Sequence, residues 1–565
     1  MINIYQIFTR LFANQKNANV EFGTIEENGC TKFNDITDTA LKEIKDFGAT
    51  HVWFTGVIRH ATCTDYSKKR LTPDNPRVVK GRAGSPYAIK DYFDVQPDFA
   101  ENFHHRMVEF EELVERTHNA GLKCIIDFVP NHVSRGYASD NLPADCQGIG
   151  AYDDTSVAFK QSNNFYYIPN ESLVMPEGLN FPYEQNAPIY EEFPAKVTGN
   201  DVFSSHPSFN DWYETIKLNY GIDYQNLWHE HFEQIPDTWV RMFEVLTFWT
   251  NKGVDGFRCD MAEMVPVRFW GWVIPQIKEI NPNILFIAEV YNPDLYKAYV
   301  NKGKFDYLYD KVGLYDVLRL MIEGYGSAKY ISDTWKCLDE LNPKMLRFLE
   351  NHDEHRVASE FFGGFPESAK ASMVVTATMN TGPMMIYFGQ EVGEAGMDKE
   401  GYSGVDGKTS IFDYWTPKEH HKWVNDGKFN GAKLSEKQKD LRNFYKKLQY
   451  IRLENEALAS GEFYDLMWKN YGGNLDADKI YAFVRYSENQ KLLIVVNFDY
   501  DNDHSFNLNL GEHAFEVIQI PQEGNICLTD IFQTKFKETF DAKKVMSEGL
   551  PLNVAANSAL ILELS

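Results

Sequence analysis

The sequence predicts an α/β fold built on a closed (β/α)8 barrel, and three observations carry that prediction. Eight apolar strand candidates, at residues 2–8, 50–56, 122–129, 254–259, 284–289, 305–309, 345–350 and 384–388, alternate with helical segments. The helical segments at 35–47 and 102–119 run into Gly48 and Gly121, the residue type that most readily turns a chain out of a helix. Four of the strands end in charged groups that have no place in a barrel core. Strand, helix, glycine, strand is the pattern of parallel units with right-handed crossovers, and eight such units favour a closed barrel over an open doubly wound sheet.

Taken in order, the first strand is a mainly apolar run with no helical cap and reads as a buried strand. After Pro130-Asn131-His132 the alternation stops. Residues 133–225 are rich in Pro, Asn, Asp and aromatics and show no long helical period. That stretch is far longer than an ordinary βα connection and predicts an inserted subdomain. Helices at 236–252, 266–280 and 367–379 then accompany the later strands. From residue 456 short alternating segments at 480–486, 491–498, 514–520 and 559–564 predict a separate antiparallel β domain. The expected organisation is a barrel from 1–132 and 226–455, an insert from 133–225 and a β domain from 456–565.

Composition narrows the partners. With 565 residues and a formal charge of −25, the chain would be repelled by nucleic acid and by an anionic membrane surface. No run approaches the length of a membrane span, and the amino terminus lacks the basic-then-apolar build of an export signal, so a cytoplasmic location is expected. Seven cysteines without a C-x-x-C pair fit reduced thiols better than a disulfide framework or a zinc site.

The chemistry is concentrated where strands end. Side chains alternate along a strand, so Arg258 and Asp260 share one face, and a guanidinium beside a carboxylate keeps it ionised. The third strand runs through Asp127 into Asn131 and His132, the fifth ends at Glu289, and the seventh runs into Asn351-His352-Asp353. In a (β/α)8 barrel all these ends open at one mouth, where Asp260, Glu289 and Asp353 would converge. A charged carboxylate and one kept protonated form the pair that glycoside cleavage requires. Asp260, beside Arg258, is the candidate nucleophile. Glu289, led by apolar residues and with no cation next to it in sequence, is the candidate acid. His132 and His352 are candidates for binding sugar hydroxyls.

These stretches, with Arg356, the spacing from Tyr87 to Asp91, Gly48 to Trp53, and Gly382 to Glu391, resemble the short regions that mark the α-amylase superfamily of glycoside hydrolases, from residue 2 to about 455. The resemblance implies a domain inserted after strand three, a carboxyl-terminal β-sandwich and retaining cleavage of α-glucosidic bonds in α-glucans or malto-oligosaccharides. It assigns Asp260 as nucleophile, Glu289 as acid and then base, and Asp353 as transition-state stabiliser. Tyr87, Asp91, His132, Arg258, His352 and Arg356 would line the sugar site. No cofactor is required for the chemistry. Many members hold a structural calcium ion, for which Asn131 is the candidate ligand here, but Lys217 stands where they carry an aspartate, and an ammonium would repel the ion. That variant resembles the branch of neopullulanases and cyclomaltodextrinases. The same catalytic set would also serve a transglycosylase or a trehalose- or sucrose-active isomerase, and a glucan-binding scaffold is the reading from outside enzymes.

Overall fold

The computed structural model describes residues 1–533 and 535–565. Eight parallel strands form one sheet: β1 (Asn3–Phe8), β2 (His51–Thr55), β3 (Lys123–Phe128), β4 (Gly256–Cys259), β5 (Leu285–Ala288), β6 (Tyr307–Tyr309), β7 (Met345–Leu346) and β8 (Met384–Tyr387). They follow sequence order around the sheet, and the pairing of β1 with β8 joins its first and last members. A parallel bridge between Arg347 and Met384 closes the ring beyond the short β7. Every residue of β1, β4, β7 and β8 is buried, which explains why they are mainly apolar, with Asn3, Gln6 and Arg258 as buried polar exceptions.

The helices cover the outside. α1 (Asp38–Asp46) is started by Thr37, whose side chain accepts from the Ala40 amide, and α2 (Arg106–Asn119) buries Phe110, Leu113 and Val114. α3 (Asp237–Asn251) and α4 (Val267–Ile280) flank β4 in sequence and pack through Trp239 and Phe269, whose ring centroids lie 5.7 Å apart. Each such ring, fully buried, contributes on the order of 1.5–3 kcal/mol through apolar area removed from water. Among the described residues no helix is long and apolar enough to cross a membrane.

Residues 133–225 hold only short pairings, His132–Ser134 with Thr215–Lys217 and Tyr167–Ile168 with Ala195–Lys196. Side chains supply much of the rest of the cohesion. The buried Arg135 meets Glu192 at 2.7 Å and also donates to the Tyr213 carbonyl.

The carboxyl-terminal part carries a six-stranded antiparallel sheet in which β9 (Glu462–Asp465), β10 (Ile480–Tyr486) and β11 (Lys491–Asn497) form one meander. The strand expected at 514–520 is instead a helix, α5 (Glu512–Ile518). Its buried residues, Ala514, Phe515 and Ile518, fall at helical spacing, and Gln519 at φ 59° turns the chain out. Alternation read over so few residues could not separate the two periods. One buried arginine ties this part to the barrel, and a second braces the same helix from within the barrel. Arg485 on β10 donates to the Thr378 and Gly461 carbonyls, and Arg452 donates to the Ala377 and Gly382 carbonyls. Ala377 and Thr378 end the helix that leads into β8, Lys370–Thr378, so cations cap its electronegative end.

Candidate active site

The register of the barrel builds the centre of the site. β4 and β5 pair with Arg258 opposite Ile287 and Cys259 opposite Ala288, and the Glu289 amide donates to the Cys259 carbonyl at 3.1 Å. One residue further along, Asp260 and Glu289 therefore stand level on adjacent strands, whose backbones run about 4.8 Å apart. Arg258, with no exposed surface, joins them: Nη1 lies 2.7 Å from Asp260 Oδ1 and Nη2 lies 2.7 Å from Glu289 Oε2. Nη1 also reaches Asp127 Oδ1 at 3.4 Å, and Nε donates to the Tyr309 hydroxyl at 3.2 Å. The rings of Trp53, Tyr87 and Tyr309 surround the guanidinium at 5.3–5.5 Å.

Glu289 thus has a cation beside it in space. None is adjacent in sequence, but the parallel ladder delivers Arg258 from the next strand. Two further donors hold Glu289: the Met261 amide at 2.7 Å on Oε2 and the Tyr291 hydroxyl at 2.7 Å on Oε1. Nor does Arg258 simply keep Asp260 ionised. Burial, opposed by Arg258 but reinforced by the charges of Glu289, Asp353 and Asp127, holds Asp260 well above the usual carboxylate range.

Asp353 goes the other way. Burial works to raise it, but His352, with Nε2 2.9 Å from Oδ2, draws it below the usual range. Its side chain keeps 41% of its surface exposed, so water supports the charge as well. The Gln6 amide nitrogen lies 2.9 Å from His352 Nδ1, which makes that nitrogen the acceptor and places the His352 proton on Nε2, towards Asp353 and the Tyr87 hydroxyl.

A cavity of about 300 Å³ opens over this cluster. Asp260, Glu289, Asp353, Tyr87 and His132 line it. Burial first, then the nearby Lys217 and Lys80, pushes His132 down to about 3. Its imidazole is then neutral throughout the physiological range, and ¹⁵N chemical shifts of His132 at about pH 5 should show no imidazolium.

The other candidates lie elsewhere. Asp91 is fully buried and accepts from Ser139 Oγ at 2.6 Å and from the Phe93 and Asn141 amides at 3.0 Å each. It fastens the insert to a hairpin instead of facing the cavity. Arg356, also without exposed surface, pairs with Glu350 at 2.8 Å and donates to the Phe388 carbonyl and Thr409 Oγ1 at 2.9 Å each. It ties the ends of the last two strands together. Arg258 and His352 stand behind the cavity wall and act on the carboxylates, not on the cavity itself.

The calcium expectation meets a similar arrangement. Lys217, 1% exposed, donates to Asn131 Oδ1 at 2.8 Å and pairs with Asp201 at 2.5 Å. An ammonium already fills the space between the two oxygen donors, so these residues do not fit a calcium ion.

Sequence reasoning missed several wall residues. Tyr291 could have been found, because it lies two residues beyond Glu289. Trp212, whose ring meets His132 at 5.2 Å, and the ion pair of Lys80 with Glu214 at 2.9 Å come from loops with no period to read.

Comparison with known proteins completes the description. The family model for the alpha amylase catalytic domain matches residues 6–461. Alpha-amylase 3 of Dictyoglomus thermophilum is 25% identical over 461 residues, covering 75% of this chain and 77% of that protein. Neopullulanase 2 of Thermoactinomyces vulgaris is 23% identical over 536 residues, covering 92% and 71%. Among solved structures, the α-amylase from Geobacillus thermoleovorans complexed with acarbose aligns with a TM-score of 0.62 at 18% identity, covering 100% of this chain and 98% of that one. At that identity the last likeness speaks for the fold alone.

Proposed function

We infer the reaction from the premise that this chain belongs to the α-amylase catalytic-domain family: it is an α-amylase-type glycoside hydrolase acting on α-glucans. The finer reading is a double displacement on malto-oligosaccharides. Asp260 attacks the anomeric carbon through Oδ2, since its side-chain bond to Arg258 uses Oδ1. Glu289 gives its proton to the departing oxygen and then takes one from the water that hydrolyses the glycosyl-enzyme. Asp353, drawn below the usual carboxylate range, stays anionic against the oxocarbenium-like transition state, and His132 and Tyr87 hold the sugar.

One observation carries this reading. Asp260 and Glu289 stand level on adjacent strands and share one guanidinium, Asp260 Oδ1 on Nη1 and Glu289 Oε2 on Nη2 at 2.7 Å each, which supports a pair that acts on one glycosidic bond. Proton NMR of fresh maltoheptaose digests tests it. The new reducing ends should appear as the α-anomer, whereas immediate β-anomer would end the double-displacement reading. Products longer than the substrate would mark transfer in place of hydrolysis.

Lys217 in the place of a cation supports a chain that folds without calcium. Seven free cysteines support action in a reducing compartment such as the cytoplasm.

A further inference from the structure

We propose that the enzyme takes its α-glucan only by a free non-reducing end, because the segments after β1, β2 and β8 seal the catalytic cavity on the side away from the leaving group. This rests on the hydrolase reading above. The seal is main chain against main chain. The Phe412 carbonyl, in the segment after β8, accepts from the Ala83 and Gly84 amides of the segment after β2 at 2.9 and 3.2 Å. Arg10, just beyond β1 and 1% exposed, locks the two together: Nη1 donates to the Ile411 carbonyl and Nη2 to the Gly84 carbonyl, each at 2.9 Å. Gly81, at φ 73°, permits the close approach, since a Cβ there would collide with the Phe412 carbonyl. Ile411, Phe412 and Ser85 face the cavity from this seam. Segments bonded at that separation leave no passage for a pyranose ring.

The order of strands sets the direction. β8, β1 and β2 are neighbours, and β5, which leads into Glu289, stands across the mouth from β1. Glu289 gives its proton to the departing oxygen, so the leaving group lies towards β5 and the sugar that stays on Asp260 lies towards the seam. The insert closes over the same side, where Tyr402 of the segment after β8 stacks on Phe209 at 6.4 Å and meets Phe181 at 4.9 Å.

What remains is a cavity of about 300 Å³, at the small end of the roughly 300–1,000 Å³ of ligand sites. It holds a short run of sugars, and a chain that continues past the non-reducing end of that run meets the seam. Bonds deep inside a long glucan, and those of a ring that has no end, are thereby excluded.

Two p-nitrophenyl α-maltoheptaosides test the seam, one free and one carrying a 4,6-ethylidene acetal on its non-reducing glucose. The free glucoside should release a single short sugar from the first minutes, whereas the acetal should lower kcat/KM at least about 100-fold, because a group added at that end clashes with the wall. Equal rates on the two, or a mixture of chain lengths at the outset, overturns the proposal. Arg10→Ala, which unlocks both segments, should shrink the difference at least about tenfold. A folded variant that keeps the full difference places the barrier elsewhere and also overturns it; if the variant does not fold, the wild-type comparison decides alone. Should the wild type cleave neither glucoside, the hydrolase reading falls, and calorimetric titration judges the seam separately: binding of the free glucoside alone upholds it, while equal binding, or none, overturns it.

Discussion

Replacing Glu289 by Gln is expected to lower kcat on malto-oligosaccharides about 10³-fold or more, the loss of a general acid in the first step and of a base in the second. The amide still accepts from Tyr291 and still fills its space, so the fold should survive and the glucan should still bind. Leaving groups give the diagnostic contrast. An α-glucoside of 2,4-dinitrophenol departs without a proton, so the first step should run and the glycosyl-enzyme should accumulate, seen as a burst of dinitrophenolate. Added azide, a nucleophile that needs no base, should then restore turnover. Asp260→Asn should give no burst with any leaving group, because no covalent intermediate can form. A burst from Asp260→Asn, or none from Glu289→Gln, would show the two roles wrongly assigned.

The second large effect concerns stability. Lys217→Met removes the ammonium that joins Asn131 to Asp201 and leaves a buried carbonyl oxygen and a carboxylate facing each other. Breaking a buried charged pair costs about 3–5 kcal/mol, but Asp201 keeps 31% of its side-chain surface exposed, which reduces the expected loss to about 2–3 kcal/mol. Thermal unfolding should show Tm lower by about 2 °C. Lys217→Asp should lose stability in EDTA and recover it with added calcium, while the wild type should respond to neither. A wild-type Tm that falls in EDTA would contradict the account of this site.

The barrel and its carboxylates were legible because both follow from short-range rules. Apolar runs separated by glycine-ended helices give the eight strands, and charged residues at strand ends must gather where those strands open. What needed register was not legible. The cation on Glu289 comes from Arg258 across a parallel pair, and nothing in either local stretch shows that alignment. Asp91 and Arg356 were placed by the family resemblance alone, whereas the partners that draw them away from the cavity, Ser139 for one and Glu350 for the other, depend on how loops and strand ends pack. Trp212, Lys80 and Glu214 sit in irregular segments, where position is set by tertiary contacts and sequence carries no period.

Arg485 gives the terminal β domain a meaning of its own. Its guanidinium spans the seam, donating to the Gly461 carbonyl on its own side and to the Thr378 carbonyl at the end of the helix that leads into β8, the stave that locks the ring against β1. The domain thus works as a hoop around the cask, gripping the barrel where its ring closes.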